Sequence, residues 1–376
     1  LSPDELLDWA SSVTGLTDFG PDDFSDGLAV ITDSLEKEAG LTERGQRTAR
    51  AMLRGALVAR LMSQAGFAAL PGQVPIERPI IVTGLPRTGT TFMHRLLVAD
   101  PRHQGLELWL AEAPQPRPPR SEWESNPAYQ QIAAGLARHG HLGGVHEMGP
   151  GQVEECWQLL RQSMRSLSFD SLLYVPSYSS WLASQDWTPV YERHRRNLEL
   201  IGSNDVDQRW VLKNPSHLFA LDAIMTVYPD ALIVVTHRDP RVAMASSCSL
   251  SAKATEGWST VFTGATIGQT QLDLWARGQA AFSKARPAYD QSQFADVAYD
   301  DLVADPLRVV AGLYTRFGLT LTDEARTAMT PLAGSGGDSS HRYSLADYAL
   351  TESDVLSRFP APAPAPSPAP APEGHR

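Results

Sequence analysis

At 376 residues, 42% hydrophobic and 20% charged, the chain has a globular composition and the length for one large domain or two ordinary ones. A net charge of −11 argues against a general nucleic-acid binder and requires that any anion site be positive only locally. Two cysteines, Cys156 and Cys248, give neither a disulfide framework nor metal-site spacing, and no run reaches the 18 apolar residues of a membrane span. The first residues show no basic segment followed by an apolar core, so no secretory signal is expected and a reducing cytoplasm is.

Residues 1–78 read as a helical cap packed on the main domain. Ser2, Pro3 and Glu5 form a capping-box pattern, and Leu6, Leu7, Trp9, Ala10 and Val13 follow at helical spacing. A second helix is expected over about 25–39 and a third after Thr42. At Pro79 the character changes. Ile80-Ile81-Val82-Thr83 is a β-branched run ending in Gly84, and a helix is expected to start near Gly89.

The same grammar recurs three times. Trp210-Val211-Leu212-Lys213 leads into Asn214-Pro215 and a helix from about Ser216. Leu232-Ile233-Val234-Val235-Thr236 leads into His237-Arg238-Asp239-Pro240, and residues 294–299 lead through Asp305-Pro306. In both Asp-Pro pairs, Asp suits the N-cap and Pro the first helical position. Strands alternating with helices imply an α/β fold with a parallel sheet flanked by helices, and ligands beyond the carboxyl ends of its strands. Residues 114–200 read as a helical insert opening on the Pro-rich loop 114–119, and the Pro/Ala tail 360–376 reads as disordered.

The strongest chemical signal is Gly84-Leu85-Pro86-Arg87-Thr88-Gly89-Thr90-Thr91-Phe92, directly after a strand. Such a turn points free backbone N–H groups inward, and the next helix adds its own free N–H groups and dipole. Arg87 supplies a forked cation, and Thr88, Thr90 and Thr91 supply hydroxyls. A triphosphatase loop needs Lys straight after the second Gly, but Thr90 stands there. The second signal is His237-Arg238-Asp239-Pro240-Arg241-Val242-Ala243-Met244-Ala245-Ser246. Arg238 begins a helix and Ser246 lies two turns along it, so both can face one anion.

Together these elements resemble the sulfotransferases that use 3′-phosphoadenosine 5′-phosphosulfate, and within them the bacterial small-molecule type. The resemblance covers roughly residues 79–348. It implies a P-loop-like fold and metal-free transfer of a sulfuryl group to a hydroxyl or amine of a small-molecule acceptor. It implies that Pro86, Arg87, Thr88, Gly89, Thr90 and Thr91 hold the 5′-phosphosulfate, and that Arg238 and Ser246 hold the 3′-phosphate. Phe92 and Tyr299, in Tyr299-Asp300-Asp301-Leu302, would meet the adenine. Lys213 would stand near the bridging oxygen, and Arg342, in His341-Arg342-Tyr343, would belong to a basic closing loop.

The general base is open. The cytosolic branch has a His two residues after the strand Lys, where this chain has Pro215, and His217 is expected to point elsewhere. The candidates, in order, are Glu155, His146, Glu107 and Glu154. His94 is expected either to line the site or to serve as a buried structural group. Trp109, Trp123, Trp157, Trp181 and Trp187 suggest an apolar acceptor pocket under helical lids, although most would be core. Two rival readings remain: a P-loop kinase acting on a small molecule, which would need magnesium, and a non-enzymatic protein that keeps the fold. Oligomeric state is not legible.

Overall fold

The structure, a computed structural model, describes residues 2–70, 72–139, 149–334 and 344–359. The β-branched run at 80–84 forms strand β1 (Ile80–Gly84), buried along its whole length. β3 (Arg209–Lys213), β4 (Leu232–His237) and β5 (Phe294–Ala298) form where the sequence predicts them. A two-residue strand, β2 (His103–Gln104), joins the edge. All five are parallel, in the order β2-β3-β1-β4-β5.

Side chains alternate between the faces of the sheet, as a period of two requires. Ile81, Leu212, Ile233 and Val235 enter one core cluster, while Ile80, Val82, Val211, Val234 and Val297 enter another. The first cluster is shared with Leu6, Leu28, Leu53 and Leu57 of the N-terminal helices α1 (Pro3–Thr14), α2 (Ser25–Lys37) and α3 (Glu43–Phe67). Thr42 caps α3 by accepting from the Gly45 N–H. Ser2 occupies the N-cap position of α1 but accepts no capping bond through its side chain, so the expected capping box does not form.

The register sets the site. Val82 lies opposite both Lys213 and Val234, and Gly84 lies opposite Thr236. The ends of β3, β1 and β4 therefore finish side by side. The chain leaves β1 toward β2 on one side and later returns to β4 on the other. This makes the crevice at the carboxyl ends the natural ligand position. The loop after β1 leads into α4 (Thr90–Val98). After β4, Asp239 accepts from the Arg241 N–H with Pro240 at the first position of helix Pro240–Ala254, and Asp305 caps Pro306–Arg316 in the same way. After β3 the outcome differs from expectation. The Asn214 side chain caps a tight 3₁₀ segment, Pro215–Phe219, and the α-helix waits until Leu221–Val227. Cys156 and Cys248 are free and buried. Among the described residues no helix is long and apolar enough to cross a membrane.

Candidate active site

The loop after β1 is held by its own backbone conformation. Gly84 has φ +142° and Gly89 φ +94°, and a Cβ at Gly84 would stand 2.5 Å from the Thr236 carbonyl oxygen. Arg87, which is not glycine, also takes a left-handed φ of 69°. Such strain is tolerated where the surroundings enforce it, and it is typical of ligand clamps. Thr88 provides part of that enforcement: its hydroxyl donates to the Leu85 carbonyl at 2.7 Å and meets the Thr236 hydroxyl at 2.6 Å. The N–H groups of Arg87 through Phe92 donate to no other group among the described residues. They form a nest of free donors at the positive end of α4.

The loop after β4 closes onto this nest. Arg87 Nε donates to Ser246 Oγ at 3.0 Å, and Arg238 Nη1 donates to the Arg87 carbonyl at 3.2 Å. The Arg238 guanidinium also lies 4.0 Å from the centre of the Tyr299 ring. The two anion-seeking signals of the sequence are thus one continuous surface. An open cleft beside Arg238 and Ser246 reaches Ser344 and Leu345.

The third wall comes from β3. Lys213, fully buried at the end of the strand, donates from Nζ to Thr91 Oγ1 at 3.2 Å and to Glu155 Oε1 at 2.5 Å. Glu155 is brought there by its neighbour, since the Cys156 N–H donates to the Lys213 carbonyl at 3.2 Å. Burial pushes the Cys156 thiol up to about 12, so it stays protonated. Behind Lys213, His94 is held down to about 3, by burial first and by the Lys213 charge second. His94 Nε2 pairs with the Val211 carbonyl, and its other ring nitrogen is buried without a partner. His94 is therefore a neutral buried group.

A carboxylate, an ammonium and a ring of free donors at the end of a parallel sheet suit the transfer of an anionic group. A sequence model described as the sulfotransferase family matches residues 79–323. The chain belongs to the sulfotransferase family. Over 264 residues it is 26% identical to the omega-hydroxy-beta-dihydromenaquinone-9 sulfotransferase Stf3 of Mycobacterium bovis and to that of Mycobacterium tuberculosis. The match covers 65% of this chain and 63% of those relatives, so the chain spans less than two thirds of their length. Among solved structures, the sulfotransferase STF1 from Mycobacterium tuberculosis is 56% identical, with a TM-score of 0.90 over 96% of this chain and 98% of that one. STF9 from Mycobacterium avium is 27% identical, with a TM-score of 0.86 over 95% of both chains.

Other residues that the sequence singles out stand outside the Lys213–Glu155 contact. Glu107 is buried, and its Oε2 accepts two bonds from Arg117, at 3.1 and 3.0 Å. Burial pushes its carboxyl above the usual range, with Arg117 pulling it back. Glu154 is buried beside Leu106, and its carboxylate accepts from the Glu155 N–H at 3.2 Å. His217 points away from Lys213's partners and meets the Tyr191 hydroxyl at 2.6 Å. Phe92 packs at the rim of the core on the far face of the sheet. Trp109 and Trp123 meet at a tilt in the core, and Tyr129 meets Trp109 edge-on. His146 and Arg342 lie outside the described residues. Sequence reasoning missed Thr236, whose hydroxyl locks Thr88, because nothing local marks a strand-end threonine as a partner of a loop 148 residues away.

Proposed function

We propose that this sulfotransferase moves a sulfuryl group from 3′-phosphoadenosine 5′-phosphosulfate to a hydroxyl of a small-molecule acceptor, with Glu155 as general base. The observation that carries this reading is the contact of Lys213 Nζ with Glu155 Oε1 at 2.5 Å and with Thr91 Oγ1 at 3.2 Å, at the mouth of the donor nest. The hydroxyl acceptor is also supported by the name of the Stf3 relatives, omega-hydroxy-beta-dihydromenaquinone-9 sulfotransferases. When bound, the donor supplies the sulfuryl group on a phosphate leaving group.

This chain's residues do the rest. The free N–H groups of residues 87–92, with Arg87, hold the phosphosulfate oxygens. Arg238 and Ser246 hold the 3′-phosphate, and Tyr299 lies under Arg238 where an adenine would be bordered. The donor set is wholly N–H and O–H, which fits an oxyanion neutralised without a metal. Glu155 takes the proton from the acceptor oxygen as its bond to sulfur forms. Lys213, released from Glu155 as that carboxyl becomes neutral, turns its charge to the oxygen left behind when the old sulfur–oxygen bond breaks. Arg87 shares that task. As in phosphoryl transfer, catalysis is then mostly positioning and charge stabilisation.

Calorimetry with 3′-phosphoadenosine 5′-phosphate, without magnesium, beside adenosine 5′-phosphate and magnesium ATP, tests the donor. Binding should depend on the 3′-phosphate and weaken in Arg238→Ala by about 1.5–3 kcal/mol, the usual worth of a charge-assisted hydrogen bond. Preference for magnesium ATP would replace this reading with a kinase acting on a small molecule.

A further inference from the structure

At the opposite end of the sheet, by the amino ends of β1 and β3, an open cleft of 410 Å³ is lined by Arg78, Arg102, His103, Arg209 and Tyr314 and by residues 318–320. The arginines come from three separate segments and are held in place. Arg78 precedes β1 with a left-handed φ of 44°, rare for a residue with a side chain. Its backbone N–H donates to Asp230 at 2.8 Å and its Nη2 donates to the Phe317 carbonyl at 2.6 Å. Arg102 forks onto Asp100 at 3.0 and 2.6 Å and donates to the Thr320 carbonyl at 2.7 Å.

Arg209 is different. Its Nε is buried without a partner, and its guanidinium makes no hydrogen bond or ion pair among the described residues. Its ionisation is lowered by burial first and then by the charges of Arg78 and Arg102. Of the carboxylates bonded to the group, Asp230 meets only the Arg78 backbone N–H, and Asp100 is already taken by Arg102 and by the Tyr314 hydroxyl, which donates at 2.7 Å. Asp207 stands exposed at the rim. Elsewhere in this chain buried guanidiniums are satisfied either by acids, Asp23 for Arg60 and Glu107 with Asp205 for Arg117, or by neutral acceptors, Gln162, Ser63 and the Arg60 carbonyl for Arg193, whereas the half-buried Arg209 has neither among the described residues. Three guanidiniums thus crowd one concavity in a chain of net charge −11, and among the described residues only Arg102 has a carboxylate in direct contact. Planar forks with unused donors suit oxyanions.

We infer that this cleft is a second anion site that takes a small phosphate compound, such as pyrophosphate or a phosphate ester. It goes beyond the transfer reaction and is separate from it. Arg209 and Lys213 are the two ends of β3, about 13 Å apart at the usual rise per residue.

The test is calorimetry with pyrophosphate in the absence of magnesium. It is run on the whole chain with and without saturating 3′-phosphoadenosine 5′-phosphate, and repeated on Arg209→Gln and Arg238→Ala. We expect pyrophosphate to bind the saturated protein and to bind Arg238→Ala, and to weaken about tenfold or more in Arg209→Gln. Nucleotide affinity and transfer rate in Arg209→Gln should match wild type. If Arg209→Gln does not fold, as read by circular dichroism, Arg78→Gln serves the same purpose. Pyrophosphate heat that disappears on nucleotide saturation or in Arg238→Ala, indifference of affinity to Arg209→Gln, or no heat at all overturns the inference. Failure of the donor reading would show instead as absent nucleotide binding, leaving the Arg209 comparison intact in the unsaturated protein.

Discussion

Two buried ion pairs flank one short antiparallel bridge between Glu107 and Val153, and they are built for different ends. In the first, Arg117 is 8% exposed and all three of its nitrogens are engaged: two on Glu107, one of these also on the Gly105 carbonyl, and the third on Gln104 and Asp205. In the second, Lys213 has a compact ammonium with two contacts of a possible three, and its partner Glu155 keeps 18% of its side chain exposed. A guanidinium with every donor used is a strut. An ammonium with a donor to spare among the described residues, next to a carboxylate whose second oxygen has no partner among them, can exchange partners during a reaction.

The largest effect should come from breaking the open pair. Glu155→Gln should lower turnover by about 10²–10⁴, the range for loss of a general base, while 3′-phosphoadenosine 5′-phosphate still binds within a few-fold of wild type. Steady-state kinetics beside calorimetry reads both, and an unchanged rate would move the base to another residue. Breaking the closed pair should do the reverse. Glu107→Leu removes two charge-assisted bonds and leaves buried Arg117 with Asp205 as its one carboxylate, costing about 1.5–3 kcal/mol of stability in urea unfolding, with nucleotide affinity of the folded protein unchanged. A loss of rate without loss of stability there would erase the distinction.

The smallest effect sharpens the contrast from behind. His94 and His194 are held down to about 3 and His217 is held well below its ordinary value, in each case chiefly by burial. The unfolded chain takes up these protons near its ordinary pKa and the folded chain does not. Stability is therefore fully present above about pH 6.5 and falls as pH drops below it. Urea midpoints between pH 7 and pH 4 should record that slope. In His194→Gln, proton uptake on unfolding at pH 5 should fall by about one. The neutral imidazoles of His94 and His217 beside the Lys213 charge are poor acceptors for a substrate proton, and this concentrates the search on Glu155.

Strands, caps and the donor nest were legible because their signals are local: a β-branched run, an Asp-Pro pair, a Gly-x-x-x-x-Gly turn. The candidacy of Glu155 could be read from the sequence, but its place beside Lys213, 58 residues away, could not, since the Cys156–Lys213 backbone bond that aligns them has no signature. Strand β2 was missed because two residues carry no period. It exists only because His103 and Gln104 fall in register with Arg209 and Trp210. The helix expected from Ser216 failed for a legible reason, the Asn214 cap and Pro215, whose combined effect was a tight turn. The basic cleft was invisible, because Arg78, Arg102 and Arg209 are single arginines scattered over three segments.

The bond between Arg87 and Ser246 spans 159 residues of chain. At a ribosome's pace of about 5–20 residues per second, roughly 8–30 seconds separate the synthesis of these two ends. For most of that interval Ile80–Gly84 has been made without either neighbour, since β3 begins only at Arg209 and β4 at Leu232. The nascent chain thus carries an apolar, unpaired strand while residues 85–208 are made, and shielding that segment is a task for whatever folding assistance the cell supplies.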